Sequence, residues 1–300
     1  MSKRAAVITD IDNTLYNFVD FFAPAFRAML HALALKTGFA EEEFLPSFRN
    51  VYARYHSLEY PYSIQELEIL RNSQLSAAEI ESAIHAATVA FGRSRNRRLV
   101  AYPGVKTTLE WLNKQGYFVI AYTDGPAGHT LRRLQRLGLE RHFDCLVAWG
   151  PTRDETGGPF DLSQDKVRHW FIDVAHHESV SRHFPVKYVS PTTRKPNLAL
   201  LHEIISEYRL EIESTWFIGD SVPRDLIPAR EAGFRDVLAR YGWAKEDKNW
   251  QTLVSISPWH DSAIQRELRA EDAFEPQYII DSFSALKTPL PHIQLNLPLT

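Results

Sequence analysis

Short runs of almost uninterrupted apolar residues recur along the chain. They cover residues 5–9, 117–122, 145–149 and 215–218. Runs of this length and composition are typical of strands that are buried on both faces of a parallel sheet. We therefore predict that these four runs are strands of one sheet.

Between the later runs, the apolar residues recur at helical spacing and each stripe is followed by a glycine, a common helix stop. The two stripes are Val105, Leu109 and Leu112, with Gly116 after them, and Leu131, Leu134 and Leu137, with Gly138 after them. This alternation of strands and helices predicts an α/β fold with a Rossmann-like, doubly wound parallel sheet.

About 85 residues after the first run read as helical throughout and offer no strand partner. Two capping-box patterns, Ser63 with Glu66 and Ser76 with Glu79, mark helix starts within this block. We predict a separate all-helical domain at residues 17–100. The core then comprises residues 1–16 and 101–300, with a second insertion at about 150–190.

Composition narrows the class of protein. The 300 residues are 44% apolar and 12% aromatic, and the formal net charge is −3. This balance gives no electrostatic reason to expect nucleic acid or an anionic membrane as a partner. A single cysteine, Cys145, excludes an internal disulfide. The first apolar run is too short for a signal peptide, and we expect a cytoplasmic protein.

Two carboxylates, Asp10 and Asp12, follow the first apolar run. Two positions apart on a strand, their side chains would point to one side, about 6 to 7 Å apart along the chain. A carboxylate that holds a metal cation stays ionised and can attack phosphorus, whereas its neighbour, crowded by a like charge, has a raised pKa and can donate a proton. The pair indicates a nucleophile at Asp10 and a general acid at Asp12.

Thr123 and Asp220 also stand at or just past apolar runs, at the edge where open parallel sheets bind ligands. Lys195 is instead expected to open a helix, with Pro196 in its first turn. Phosphate approaching a carboxylate is repelled by about 4 kcal/mol per charge pair at 4 Å and an effective dielectric of ~20, so cations are needed.

Mg²⁺ held by Asp10, the main-chain carbonyl of Asp12 and Asp220 would supply part of the positive charge, since oxygen ligands suit this ion. The ammonium of Lys195 and the hydroxyl of Thr123 would supply further phosphate contacts.

These segments together resemble the motifs of the haloacid dehalogenase superfamily of phosphohydrolases, in the branch with a helical cap inserted after the first motif. The matching segments are Asp10-Ile11-Asp12-Asn13-Thr14-Leu15, Thr123, Lys195, and Gly219-Asp220 with Asp225. Asn13 departs from the glycine frequent in that branch, and Asp124 from a frequent asparagine. The insertion at 150–190 also places the lysine late in the chain.

The resemblance implies that Asp10 forms an aspartyl-phosphate and that Asp12 acts first as acid and then as base. It implies phosphate binding by Thr14, Thr123, Asp124, Gly125 and Lys195. It also implies Mg²⁺ binding by Asp10, Asp12 and Asp220, supported by Ser221 and Asp225.

Three other patterns have simpler interpretations. His169, Asp173 and His176 share a helical face and could hold zinc, but we favour a solvated, charged helix within the insertion. Five aromatic residues could line a substrate pocket, although helical spacing favours packing inside the inserted domain. They are Phe48, Tyr52, Tyr55, Tyr60 and Tyr62. The arginines between 93 and 98 are expected to form a solvated hinge.

We expect a Mg²⁺-dependent phosphatase that acts on a small phosphomonoester, with the cap selecting the substrate. A phosphomutase and a dehalogenase of the same superfamily stay open as alternatives. A non-catalytic protein that accepts a phosphoryl group, as in signalling, is the alternative from another class.

Overall fold

The computed structural model describes residues 3–150, 185–190, 193–242, 247–257 and 273–291, together with residues 265, 269 and 270. Its centre is a seven-stranded sheet in the order β4-β3-β2-β1-β5-β6-β7, and every pairing is parallel. The strands are β1 (Arg4–Thr9), β2 (Phe118–Pro126), β3 (Cys145–Trp149), β4 (Val186–Val189), β5 (Leu210–Gly219), β6 (Arg235–Ala239) and β7 (Tyr278–Ile280). The predicted doubly wound α/β fold is confirmed.

The strand order reverses at β1, because β2 to β4 lie on one side of it and β5 to β7 on the other. Thr9, the last residue of β1, pairs with Ala121 of β2 and with Ile218 of β5. The next main-chain N–H, that of Asp10, donates to the Ile218 carbonyl at 2.8 Å. β1 and its two neighbours therefore bring their carboxyl-terminal ends to one place, at the switch point where such sheets bind ligands.

Helices cover the described parts of the chain between and beside these strands. They are α1 (Phe18–Thr37), α2 (Glu41–Arg54), α3 (Glu68–Arg71), α4 (Ala77–Arg98), α5 (Val105–Gln115), α6 (Ala127–Leu137), α7 (Leu198–Tyr208), α8 (Ile227–Glu231) and α9 (Lys248–Ile256). Gly116 and Gly138 cap α5 and α6 in the left-handed conformation, with φ of 82° and 65°. Both predicted helix stops are confirmed.

The long insertion after β1 contains helices α1 to α4, with α1 packed along α4. The two chain segments that enter and leave this insertion lie side by side, since Tyr16 forms an antiparallel bridge with Ala101. Because the chain enters and leaves the helical part at this bridge, we retain residues 17–100 as the proposed extent of the cap.

Aromatic side chains fill the interior of this insertion. Phe48, Tyr52, Tyr55 and Tyr60 are at most 5% exposed. The ring of Phe26, for example, meets that of Phe48 edge-on, with centroids 5.0 Å apart. The aromatic cluster is therefore packing of the cap, as helical spacing favoured.

Helix α1 is long and apolar enough to cross a membrane, judged by length and composition alone. The sequence analysis did not single it out. Half of its apolar stretch is buried inside the protein, where α1 contacts α2, α4 and α9. Burial among other helices is what the core helix of a globular domain shows, and this packing accounts for its composition.

The two predicted capping boxes differ in outcome. Ser76 and Glu79 form one at the start of α4, as expected. Ser63 accepts no cap hydrogen bond, so that prediction is wrong. A short 3₁₀ turn, Ile64–Glu66, stands there, and the Glu66 side chain is drawn inward because the hydroxyls of Tyr55 and Tyr60 donate to it.

The arginine run occupies the last turns of α4 and continues the helix; no hinge interrupts it there. Cations at this end of a helix interact favourably with its dipole. His169, Asp173 and His176, with most of the 150–190 insertion, lie outside the described residues.

Candidate active site

Three carboxylates meet beyond the ends of β1 and β5. Oxygens of Asp10, Asp220 and Asp225 all lie within 4.8 Å of one another, and the residues are only 7%, 8% and 2% exposed. Asp10 follows β1, Asp220 follows β5, and Asp225 lies on the single π-helical turn Val222–Leu226 that comes next. A Cβ at Gly219 would collide with the Asp225 side chain, so a glycine is required for this close approach.

Lys195 supplies the positive charge at this cluster. Its Nζ donates to Oδ1 of Asp10 at 2.6 Å and to Oδ1 of Asp225 at 2.8 Å. The ammonium is buried, and such an ion is tolerated only with partners of this quality. Burial raises the pKa of Asp225 to about 6, with Lys195 opposing the shift. Burial likewise raises the pKa of Asp10, again against the attraction of Lys195.

The chain around Lys195 differs from the expectation that it opens a helix. Helix α7 begins only at Leu198, because the side chain of Asn197 caps it by accepting from the Leu200 N–H at 2.9 Å. The Lys195–Pro196 peptide bond is cis and precedes the helix. The Lys195 N–H donates to Oδ1 of Asp124 at 2.9 Å, so Asp124 holds the lysine loop in place.

Asp12 lies beyond the end of β1, in the loop before α1, and is not part of the strand. The assumption of a shared strand is therefore wrong for the Asp10 and Asp12 pair. The Tyr16 hydroxyl donates to Oδ1 of Asp12, and Nη2 of Arg133 lies 3.8 Å from the same oxygen. Burial raises the pKa of Asp12, while the charge of Arg133 acts in the opposite direction.

Asn13 shapes this loop. Its φ of 61° is in the left-handed region, which asparagine tolerates better than most residues and where glycine is the usual choice. The conformation accounts for an asparagine where the resemblance leads one to expect glycine. Its side chain also accepts from the Phe18 N–H at 3.0 Å and donates to Oδ2 of Asp220 at 3.4 Å, which links the loop to the acidic cluster.

The residues predicted to bind phosphate are only partly brought together. Thr123 lies beside the cluster, and its Oγ1 accepts from the Gly125 N–H at 2.9 Å. Thr14 is fully buried, its hydroxyl has no hydrogen-bond partner among the described residues, and it does not line the cavity described below. Ser221 is also buried, and its N–H donates to Oδ2 of Asp225 at 3.2 Å, as a supporting residue would.

A cavity of about 120 Å³ opens over the cluster. The predicted residues that line it are Asp10, Asp12, Thr123, Asp124, Gly125, Lys195, Asp220 and Asp225. Further residues line the cavity but were not predicted from the sequence: Asn13, Phe18, Pro126, Arg194, Arg224 and residues 56–59. The volume is well below the ~300–1,000 Å³ of pockets for drug-sized ligands, which favours a small ligand.

The sequence contains a local signal for one further residue near the site that was not predicted, Arg133. Arg133 falls on the same face of α6 as Thr130 and Leu134, and all three are buried. A charged residue on the apolar face of a helix that follows Thr123 indicates a buried partner. Residues 56–59 carry no comparable signal, because only tertiary packing brings them to the cavity.

The comparisons with known proteins agree with this geometry. The family model of haloacid dehalogenase-like hydrolases matches residues 5–233, and a second model, HAD-hydrolase-like, matches residues 192–286. The chain therefore belongs to the haloacid dehalogenase-like hydrolase family, which confirms the resemblance found in its motifs. It is a hydrolase by family.

Two curated relatives are phosphatases. The chain is similar to a glyceraldehyde 3-phosphate phosphatase of Methanopyrus kandleri, with 25% identity over 79% of this chain and 84% of the relative. It is also similar to a phosphoglycolate phosphatase of Pseudomonas fluorescens, with 24% identity over 57% of this chain and 48% of that protein. The second match thus spans about half of the relative.

Two solved structures share the fold. A HAD phosphatase from Thermococcus onnurineus superposes with a TM-score of 0.53 at 17% identity, over 96% of this chain and 98% of that one. A 2-haloacid dehalogenase from Pseudomonas syringae pv. Tomato DC3000 gives 0.52 at 18% identity, over 96% and 97%. Because both activities occur on this fold, the fold by itself does not distinguish them.

Proposed function

We propose that the protein is a Mg²⁺-dependent phosphomonoesterase that transfers the phosphoryl group of a small metabolite to Asp10 and then hydrolyses the aspartyl-phosphate. The observation that carries this proposal is the meeting of three carboxylates and one buried lysine at the switch point of the sheet. The phosphatase names of the two relatives support the same reaction.

The donor set suits magnesium. Asp10, Asp220 and Asp225 present carboxylate oxygens close enough to share one ion, and hard oxygen ligands are what Mg²⁺ prefers. We infer that Asp10 and Asp220 hold the ion and that Asp225 supports it, with the main-chain carbonyl of Asp12 as a further ligand. Bound Mg²⁺ would offset the negative charge of the phosphate beside these carboxylates.

The residues of the chain divide the remaining work. Asp10 attacks phosphorus, while the ammonium of Lys195 offsets the charge of phosphate and nucleophile together. Thr123 and the N–H groups at the start of α6 bind phosphate oxygens. Asp12 donates a proton to the leaving oxygen and later takes one from the attacking water.

The size of the cavity supports a substrate with only a few carbon atoms. Phe18 and residues 56–59 of the cap line the part of the cavity that the core residues do not line. The two curated relatives are named for small phosphorylated compounds. We therefore propose a small phosphorylated metabolite as the substrate, and retain the cytoplasmic location and the lack of a nucleic-acid or membrane partner as predictions.

The dehalogenase alternative differs from the phosphatase in its need for metal. Halide displacement needs neither a cation nor a proton donor, whereas three clustered acids suit an ion. A phosphomutase would return the phosphoryl group to a sugar, and a signalling protein would keep it on Asp10 without turnover.

The test is phosphate release from a panel of phosphorylated metabolites with and without Mg²⁺. We expect activity that EDTA abolishes and Mg²⁺ restores, and we expect Asp220→Asn to require more Mg²⁺. Asp281→Asn, in an exposed ion pair with Arg240, is the matched control. Metal-free turnover of 2-haloacids, or stable phosphorylation without turnover, would contradict the proposal.

A further inference from the structure

Four consecutive residues of the cap form part of the cavity wall: His56, Ser57, Leu58 and Glu59, here called the roof segment. Besides Phe18, the other lining residues belong to the core or to the loop that follows β1. The roof segment is therefore the main contribution of the helical insertion to the site.

The base of the roof segment is built rigidly. The rings of Tyr55 and Tyr60, which flank it, stack with centroids 3.6 Å apart and planes at 13°. Both hydroxyls donate to the buried carboxylate of Glu66, at 2.9 and 2.6 Å. The Ser57 N–H donates to the Tyr52 carbonyl at 3.2 Å. These contacts all lie within the cap, so the cap presents the segment already formed.

The roof segment is bound to the core by Arg133, Arg194 and His129, whose Nδ1 lies 3.5 Å from Oε1 of Glu59. Arg133 of α6 grips Glu59: Nη1 donates to Oε1, and Nη2 lies 3.4 Å from Oε2. Arg194, next to Lys195, donates to the His56 carbonyl. Burial would raise the pKa of Glu59, but the facing Arg133, together with the hydrogen bond and charge of His129, outweighs it and lowers the pKa to about 2, so the Arg133 contact is a charge-assisted pair.

The same guanidinium reaches Asp12. Arg133 is only 4% exposed, and its Nη2 lies 3.8 Å from Oδ1 of Asp12. The Tyr16 hydroxyl donates to this oxygen too, while the Arg133 guanidinium lies 5.8 Å from the Tyr16 ring centroid. Within the described parts of the chain, these two contacts of the Asp12 carboxyl both fall on Oδ1, so we assign Oδ2 as the oxygen that carries a proton into the cavity.

We propose that Arg133 is a positioning residue that couples the roof segment to the general acid: docking of Glu59 on Arg133 fixes the carboxyl group of Asp12 for proton donation. The inference deepens the proposed function and rests on it. Cap docking and leaving-group protonation then depend on one buried side chain.

The test compares two substrates that differ in their need for a proton donor. The leaving group of p-nitrophenyl phosphate departs without a proton, whereas that of ethyl phosphate requires one. We expect Arg133→Met to lower the single-turnover rate of leaving-group release from ethyl phosphate by about 100-fold or more, the usual contribution of general acid catalysis, and that from p-nitrophenyl phosphate by less than about 10-fold. Arg133→Lys should restore part of the difference.

Arg136→Met is the matched control, because Arg136 lies one turn further along α6 and also bonds a cap residue, Asn96, but is exposed and remote from the cavity. It should leave both rates near those of the unchanged protein. Glu59→Gln keeps the side-chain volume and should also lower the rate for ethyl phosphate more than the rate for p-nitrophenyl phosphate. This variant provides the test if Arg133→Met folds poorly.

Hydrogen exchange supplies a second readout. We expect faster exchange at residues 56–59 in Arg133→Met than in Arg136→Met. Equal losses for both substrates, or an unchanged ratio in Glu59→Gln, would overturn the positioning role even if exchange rises. Retained Mg²⁺-dependent hydrolysis of p-nitrophenyl phosphate in these variants keeps the proposed function intact, whereas the absence of Mg²⁺-dependent phosphate release from both of these substrates and from the metabolite panel in the unchanged protein would refute that function.

Discussion

The floor and the roof of the cavity are held in place by different means. The floor, Asp10 with Asp220, follows two paired strands, and the register of main-chain hydrogen bonds sets its geometry. The roof segment is held by individual side chains, above all Glu59 and Arg133. The floor thus moves only if the sheet moves, whereas one substitution can release the roof.

Under the proposed function, the floor residues carry out phosphoryl transfer and the roof segment governs protonation of the leaving group. Changes in the floor should remove the reaction while leaving the cap docked. Changes at the roof should leave phosphoryl transfer possible and alter how well the leaving group is protonated. Substitutions at Asp10, Asp12 and Glu59 test the floor and the roof segment, with the largest effect expected for Asp10 and the smallest for Glu59.

The largest effect is expected for Asp10→Asn, since an amide oxygen is a poor nucleophile and the floor loses a metal ligand. Turnover should fall by roughly 10⁴-fold or more. Phosphate release at saturating Mg²⁺ measures this, with circular dichroism to verify folding and Asp281→Asn as the control. A variant that kept most of its activity would show that another residue is the nucleophile.

Asp12→Asn should reduce steady-state turnover by about 10²- to 10³-fold, because both protonation of the leaving group and activation of water are lost. With p-nitrophenyl phosphate, the first step needs no proton, so a burst of p-nitrophenol equal to the enzyme concentration should precede a slow phase. Rapid-quench kinetics measures the burst. Its absence together with unimpaired steady-state turnover would contradict the assigned role.

The smallest effect concerns stability and its dependence on pH. The folded protein holds the pKa of Glu59 at about 2, against an ordinary value of 4.5. The ionised Glu59, with Arg133 and His129 beside it, therefore stabilises the fold above about pH 4.5, by ~3 kcal/mol at most, and this contribution is lost as the pH falls towards 2.

Glu59→Gln should accordingly lower Tm at pH 7, and the gap to the unchanged protein should narrow below about pH 4.5. Thermal unfolding from pH 7 to pH 3 measures it. Glu81→Gln, on the exposed side of α4, should show no such trend. A gap that widened on acidification would refute the assigned pairing.

Much of the core could be predicted from the sequence because its signals are local. The strand Cys145–Trp149 matches the predicted run residue for residue, since continuous apolar runs suit a sheet covered on both faces. The helix ends at Gly116 and Gly138 followed from backbone freedom alone. The acidic residues at the strand ends then meet because parallel strands end at one edge.

What the sequence analysis missed depends on contacts between distant residues. Glu59 and Arg133 are 74 positions apart, and no spacing rule connects them. The direction of the Asp12 side chain depends on a loop turned by Asn13 at positive φ. Glu66 was assigned to a helix cap, but burial beside two tyrosine hydroxyls decided its conformation.

The position of β1 at the middle of the sheet has a consequence for biosynthesis. Its residue Ile8 must find Phe217 of β5, a partner separated from it by about two thirds of the 300 residues, and pairing over such separations is slow because a long loop must close first. A nascent polypeptide exposes Asp10 to solvent long before Asp220 leaves the ribosome. Under the proposed function, truncated products of translation that lack Asp220 therefore cannot catalyse phosphoryl transfer.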